Sequence, residues 1–252
     1  MKSAAHELRV EQKLFWRSRE LAFFTFALPI VFYVLLASVY GRKRTDTIAG
    51  VPGSDYLLAG MLGYGVVATA FAGLAISLTI RRESGILKRL RATPLPGISY
   101  FGGVLGSTLV VYALEAIVLV AIACLGFDAA FPPRLFSLVL ALLLGAVAFA
   151  AMGIGLTTVI RSAEGSSAVV NAIYLPMLFI SGAFFEQDKF PDFLQKIADI
   201  LPLSHFISLV LDILFHGQQI WDQWGDVAVV AAWGAFGAVV AFRRFRWEPR
   251  EG

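Results

Sequence analysis

The sequence predicts an all-α integral membrane protein with six transmembrane helices. Three observations carry that expectation. The chain is 58% apolar and 15% charged, whereas soluble domains average about 25% charged residues. Its charges are segregated, leaving six apolar windows, and a run of about 20 residues crosses a hydrocarbon core of about 30 Å. Those windows also lack the alternating pattern of barrel strands, so each is expected to satisfy its backbone hydrogen bonds as a continuous helix.

The elements follow in order. Residues 1–20 form an interfacial connecting segment, with an amphipathic helix over residues 7–20. In it Arg9, Lys13 and Arg17 recur on one face, and Leu8, Val10, Leu14 and Phe15 are apolar. Trp16 adds an aromatic suited to the membrane surface. This segment is polar, and the apolar run after it is long enough to span, so no cleavable leader is expected. The first span covers residues 21–40 and the second 56–80, with the basic cluster Arg42, Lys43, Arg44 between them.

Residues 81–96 are the most informative stretch. Ile86, Leu87 and Leu90 fall at i, i+1 and i+4 and form one apolar strip of a short helix. Arg82, Lys88, Arg89 and Arg91 make the remaining surface positive, and Pro94 and Pro96 stop the helix. A helix of about three turns at most is marginal alone in water. Two spans ending at one membrane face would hold it as a small basic knob, suited to docking on another protein.

The third, fourth and fifth spans cover residues 99–125, 135–160 and 167–185. Pro176, after Asn171, is expected to kink the fifth. In residues 186–223, Phe190, Phe193, Leu194, Ile197, Ile200 and Leu201 recur at helical spacing, and a second apolar stretch follows Pro202. Two short helices are expected there, one interfacial and one partly re-entrant; a seventh span is the alternative. The last span, 227–242, extends toward Trp224 and Trp221. No repeat or linker divides the chain, so residues 1–252 read as one domain.

Basic residues set the orientation. With six spans and the N-terminus inside, 15 of the 21 Lys and Arg fall on the cytoplasmic side and 6 outside, Arg42–Arg44 among the latter. Both termini are therefore expected in the cytoplasm. The net charge of +3 is accounted for by anchors to anionic lipid, and no motif points to nucleic acid. Cys124, the single cysteine, precludes an intrachain disulfide.

Chemistry-bearing motifs are sparse. There is no Gly-x-x-x-x-Gly-Lys-Ser/Thr loop, so the chain shows no means of binding ATP. The three histidines lack metal-ligand spacing; His216 and Asp212, four apart, read as a hydrogen-bonded pair. Glu115 stands alone inside the third span, either on a transport path or in a structural hydrogen bond to Tyr112 or to a Ser or Thr of a neighbouring helix. Gly102 with Gly106, and Ala59 with Gly63, permit close helix approach. Tyr64, Phe71, Asn171 and Phe179 are, with Glu115, the candidates for a translocation path.

Residues 82–96 resemble the coupling segment of type-2 ABC exporter permeases, the membrane subunits of drug, antibiotic and polysaccharide export systems. Ser181-Gly182-Ala183-Phe184-Phe185 and Leu201-Pro202-Leu203-Ser204-His205-Phe206 resemble two further blocks of that family, and the likeness covers essentially the whole chain. It implies a bacterial inner-membrane complex of two permeases, identical or paralogous, with two separate ATPase subunits that bind ATP and Mg; this chain would bind no cofactor. Glu83, Ser84, Gly85, Ile86, Leu87, Lys88, Arg89, Leu90 and Arg91 would then engage the ATPase. The substrate would be amphiphilic. The alternative function is a proton-coupled secondary carrier using Glu115.

Overall fold

The computed structural model describes residues 2–40, 47, 48 and 50–249; the Arg42–Arg44 cluster and Arg250 lie outside them. Where charge is absent from the sequence, the backbone closes its own hydrogen bonds. Among the described residues six helices are long and apolar enough to span, each over a window expected from the sequence. The N-terminal helix α1 (Lys2–Arg17) breaks at Ser18 and leads into α2 (Arg19–Tyr40). A two-residue hairpin, β1 (Thr47–Ile48) with β2 (Val51–Pro52), precedes the second span. That span comprises α3 (Gly53–Val66), a π-helical segment (Val67–Gly73) and α4 (Leu74–Glu83). The short α5 (Ile86–Arg91) follows, then α6 (Gly97–Gly126), α7 (Leu135–Thr157) and α8 (Ala163–Ile180). After α9 (Asp192–Ala198) and α10 (Pro202–Phe215), α11 (Trp224–Arg244) closes the bundle.

The second span is the hub. Of its most apolar stretch 72% is buried within the chain, against 17–44% for the other five spans. It departs from the expected continuous 3.6-residue helix at Val67–Gly73. The reason lies on α7: a Cβ on Gly153 would fall 2.6 Å from the Phe71 carbonyl oxygen and 3.0 Å from that of Ala70. The widened turn thus packs backbone to backbone, and only glycine fits there. A similar contact joins α7 to α11, where a Cβ on Gly237 would meet the Met152 backbone at 2.6 Å.

The close helix approach expected at Gly102 and Gly106 is made by α1, most tightly at Gly103 and Gly106: a Cβ on Gly103 would strike Glu7, and one on Gly106 would lie 2.8 Å from Leu8 Cδ1. The N-terminal helix is therefore clamped to protein. Gln12 Nε2 donates to the Ser107 carbonyl and hydroxyl oxygens, each at 3.0 Å. Arg81 donates through both Nη atoms to Glu11 at 2.5 and 2.7 Å. The fifth span is one helix that contains Pro176 and ends at Ile180 rather than at residue 185, with residues 181–185 in turns and bends.

The two short helices before the last span are present, bent by 79° between α9 and α10. Most of α10 is buried, with Ile207 against Gly63 and Phe206 against Gly145, so it plugs the bundle end. The chain enters and leaves on one side: Tyr56, at the start of α3, bonds the Gly182 carbonyl, and Arg134, preceding α7, bonds that of Gly217. That arrangement is a re-entry and leaves six spans. Residues 245–247 pack on Tyr100 and Phe101, at the end that carries α1 and α5.

Arg82 closes this end. Its side chain is 1% exposed, and it donates to the carbonyls of Thr157 and Ile160 and to Glu83 Oε1, each at 2.7 Å. The guanidinium thus satisfies carbonyls that the C-terminus of α7 leaves unpaired. Arg82→Ala strands them in a buried site, and a loss of about 3–5 kcal/mol is expected. Unfolding of the purified chain in detergent measures it; an unchanged midpoint refutes the assignment.

Candidate functional site

The segment 83–91 is held by its own bundle. Gly85 turns the chain with φ +74°, between α4 and α5, a conformation that favours glycine. Leu87 then drops into the core at 0% exposure, Leu90 is half-buried against the core, and Ile86 is 45% exposed. The apolar strip expected from spacing therefore splits. Leu87 serves the fold, and Ser84, Ile86, Lys88, Arg89 and Arg91 form the free surface, with Glu83 bound to Arg82. Beside them a cleft of about 270 Å³ is lined by Leu90, Arg91, Leu95, Gly97, Tyr100 and Trp247.

Inside the bundle, Glu115 is 1% exposed and faces the second span. Thr69 Oγ1 donates to its Oε2 at 3.1 Å, while Oε1 has no hydrogen-bond partner and lies over Gly65. Tyr112 does not reach it; its hydroxyl donates to the Leu62 carbonyl at 3.0 Å. The Ser/Thr alternative is thus the one realised, on a residue of the π-helical segment.

The remaining path candidates separate. Tyr64 and Phe179 join one aromatic cluster through Phe32 and Phe184, with Tyr174 against Tyr64 at a centroid distance of 6.5 Å. Asn171 lies exposed on α8, three residues before Tyr174. Phe71 is buried where α7 meets the π-helical segment.

At the opposite end the two sequence blocks converge. Ser181 and Ser204 line one pocket of about 150 Å³ with Tyr56, whose hydroxyl donates to the Gly182 carbonyl at 2.6 Å. His205 bonds Asp226 at 2.6 Å and the Asp199 carbonyl at 2.9 Å, tying α10 to α11 and the end of α9. His216 pairs with Asp212 at 2.7 Å, as expected. Sequence reasoning missed Arg82 as a buried clamp and Thr69 as the partner of Glu115. Both lie in contacts more than 40 residues apart, which local spacing does not report.

A helical bundle with these blocks at its two ends has relatives. The sequence model of the family described as ABC-2 type transporter matches residues 7–215. The chain belongs to that family. This ABC-2 chain is 25% identical to the Bacillus subtilis (strain 168) protein named transport permease YvfS over 214 residues, which cover 84% of this chain and 86% of that one. It is 25% identical over 230 residues to the daunorubicin resistance ABC transporter permease protein DrrB1 of Streptomyces coeruleorubidus, covering 87% and 77%. It is also 32% identical over 185 residues to the inner membrane transport permease YhhJ of Escherichia coli (strain K12), covering 69% of this chain and about half, 48%, of that one. It is thus a multi-pass membrane protein of a transport permease family.

The split of the 86–90 strip has a measurable consequence. Leu87→Ala empties a filled core site and should destabilise the chain by about 2–5 kcal/mol. Ile86→Ala, at a free surface, should stay within about 0.5 kcal/mol. Denaturant unfolding in detergent separates the two, and equal effects would mean that both side chains face the same environment.

Proposed function

We propose that this ABC-2 chain is the membrane subunit of an ATP-driven exporter that moves an amphiphilic substrate from the cytoplasm or the inner leaflet to the outside. The observation that supports it best is the basic stub 83–91. Its anchor, Leu87 with Arg82, is buried in the bundle, and its cationic surface stands free. A rigid lever of this kind suits a partner that moves it, and ABC-2 permeases work with ABC ATPase subunits. Those separate subunits bind ATP and Mg; this chain is non-catalytic and holds no cofactor. A second copy, or a paralogue, completes the path. The relative named for daunorubicin resistance favours an amphiphilic drug-like or lipid-like cargo.

In this reading the basic end, with both termini, lies in the cytoplasm of a bacterial cell, and α9 and α10 face outward. ATP binding closes the ATPases, the stub follows them, and Arg82 passes the displacement to the end of α7 as a rigid-body change. The bundle then opens toward the outer end, between the aromatic cluster of Tyr64 and Phe179 and the plug made by α10. Thr69 lies within the second span's widened turn, and Glu115 on α6 faces it.

Two measurements test this. Arg89→Glu reverses charge on the free surface and should weaken co-purification of the ATPase at least tenfold without altering the unfolding midpoint. Undiminished association removes 83–91 from the docking role. Vesicles holding the permease and its ATPase should release substrate with ATP and not with a pH gradient alone, and Glu115→Gln should keep ATP-dependent release. Release that needs only the gradient and vanishes in Glu115→Gln establishes the proton-coupled carrier instead.

A further inference from the structure

Beneath α1 a cavity of about 420 Å³ runs between α2, the second span and α6. This size falls within the range of about 300–1,000 Å³ typical of small-molecule sites. Its two ends differ in chemistry. At one end stands the Glu11–Arg81 ion pair, which is only partly covered, with side chains 10% and 21% exposed. At the other stands Thr69, whose hydroxyl is held by Glu115. Arg81 and Thr69 are twelve residues apart on one span, about 18 Å at 1.5 Å per residue, close to the half-thickness of about 15 Å of a bilayer core.

Between the ends the walls are mostly apolar, with Leu14 and Phe15 from α1, Leu21 from α2, Leu74 and Ile80 from α4 and Val111 from α6. Along the way the hydroxyls of Thr25, Ser77 and Thr108 donate to carbonyls of their own helices and that of Ser107 accepts from Gln12, so they demand little of an occupant. Ala68, Thr69 and Gly73 of the π-helical segment form the inner wall, and such segments recur at functional sites. The larger groove between α6 and α7, about 550 Å³, carries no charged side chain and has no polar end to orient a ligand.

We propose that the cavity under α1 binds a single-chain amphiphile from the adjacent leaflet, its zwitterionic head at the Glu11–Arg81 pair and its apolar chain reaching Thr69. A head with an ammonium and a phosphate complements a mouth that presents one carboxylate and one guanidinium. The chain replaces water along the apolar walls. This deepens the exporter reading by giving its substrate class and point of entry, and it rests on that reading for the step that follows binding.

The test is equilibrium binding of a fluorescent lysophosphatidylcholine to the purified full chain in detergent. Ala68→Phe fills the cavity from the second span and Thr25→Phe from α2; each is scored if it elutes as the folded wild type does. Either should weaken binding at least tenfold, and Glu11→Gln severalfold, while Ala113→Phe in the α6–α7 groove should leave it unchanged. Wild-type binding no tighter than that of a folded cavity-filling variant, or equal loss in Ala113→Phe, overturns the proposal. Native mass spectrometry of the chain taken from membranes distinguishes the sources. A retained phospholipid lost in Ala68→Phe marks a resident lipid, and ATP-dependent release of bound lysophosphatidylcholine from the complex marks cargo. ATP-driven efflux without cavity binding sinks the site and spares the exporter; cavity binding without ATP-driven efflux does the reverse.

Discussion

A guanidinium buried where three helices meet holds the basic end of this molecule together. Arg82 is the last cation of the second span, and it bonds two carbonyls at the end of the fourth. A buried cation costs several kcal/mol of desolvation unless it is paired and hydrogen-bonded, so this placement depends on the register of α4 against the end of α7. Glu83, next in sequence, supplies the balancing charge. The direction of the basic stub, the burial of Leu87 and the turn at Gly85 all follow from that register. The stub is thus tied through Arg82 to the end of α7 as well as to its own span.

From α7 the close packing continues through contacts made largely by backbone. Gly153 sits on the carbonyls of the π-helical segment, and Gly155 and Gly234 bring α11 equally close. Contacts of this kind have no soft layer to absorb a shift. The aromatic cluster on α2, α3 and α8, by contrast, packs through side chains. The second span borders both regions.

Much of this was legible in the sequence, for identifiable reasons. Span positions follow from hydropathy because the bilayer enforces length and backbone satisfaction together. The stub's boundaries follow from Gly85 and Pro94, whose backbone preferences are local. The π-helical segment was not legible, since Ala-Thr-Ala-Phe-Ala suits an α-helix as well; a glycine some eighty residues later on α7 decides it. Gly102 and Gly106 announced a close contact correctly but not its partner, because α1 and a span present the same small-residue requirement. Leu87 and Ile86 look alike in any pattern of apolar spacing, and only the path of the chain through Arg82 determines which of them is inside. Among the path candidates, Tyr64 and Phe179 came together through Phe32 and Phe184, which no spacing rule connects.

The clamp on α1 has a consequence for biosynthesis. The helix is made before its partners, since Arg81 and Ser107 lie 70 and 95 residues later in the chain than the side chains they bond. At about 5–20 residues per second, several seconds pass before the ribosome has delivered them. During that interval Glu11 and Gln12 lack these two partners, and the amphipathic face of α1 suits the membrane surface. The amphipathic pattern of this helix therefore serves two hosts in succession, the lipid while the spans are being inserted and α6 once they have assembled.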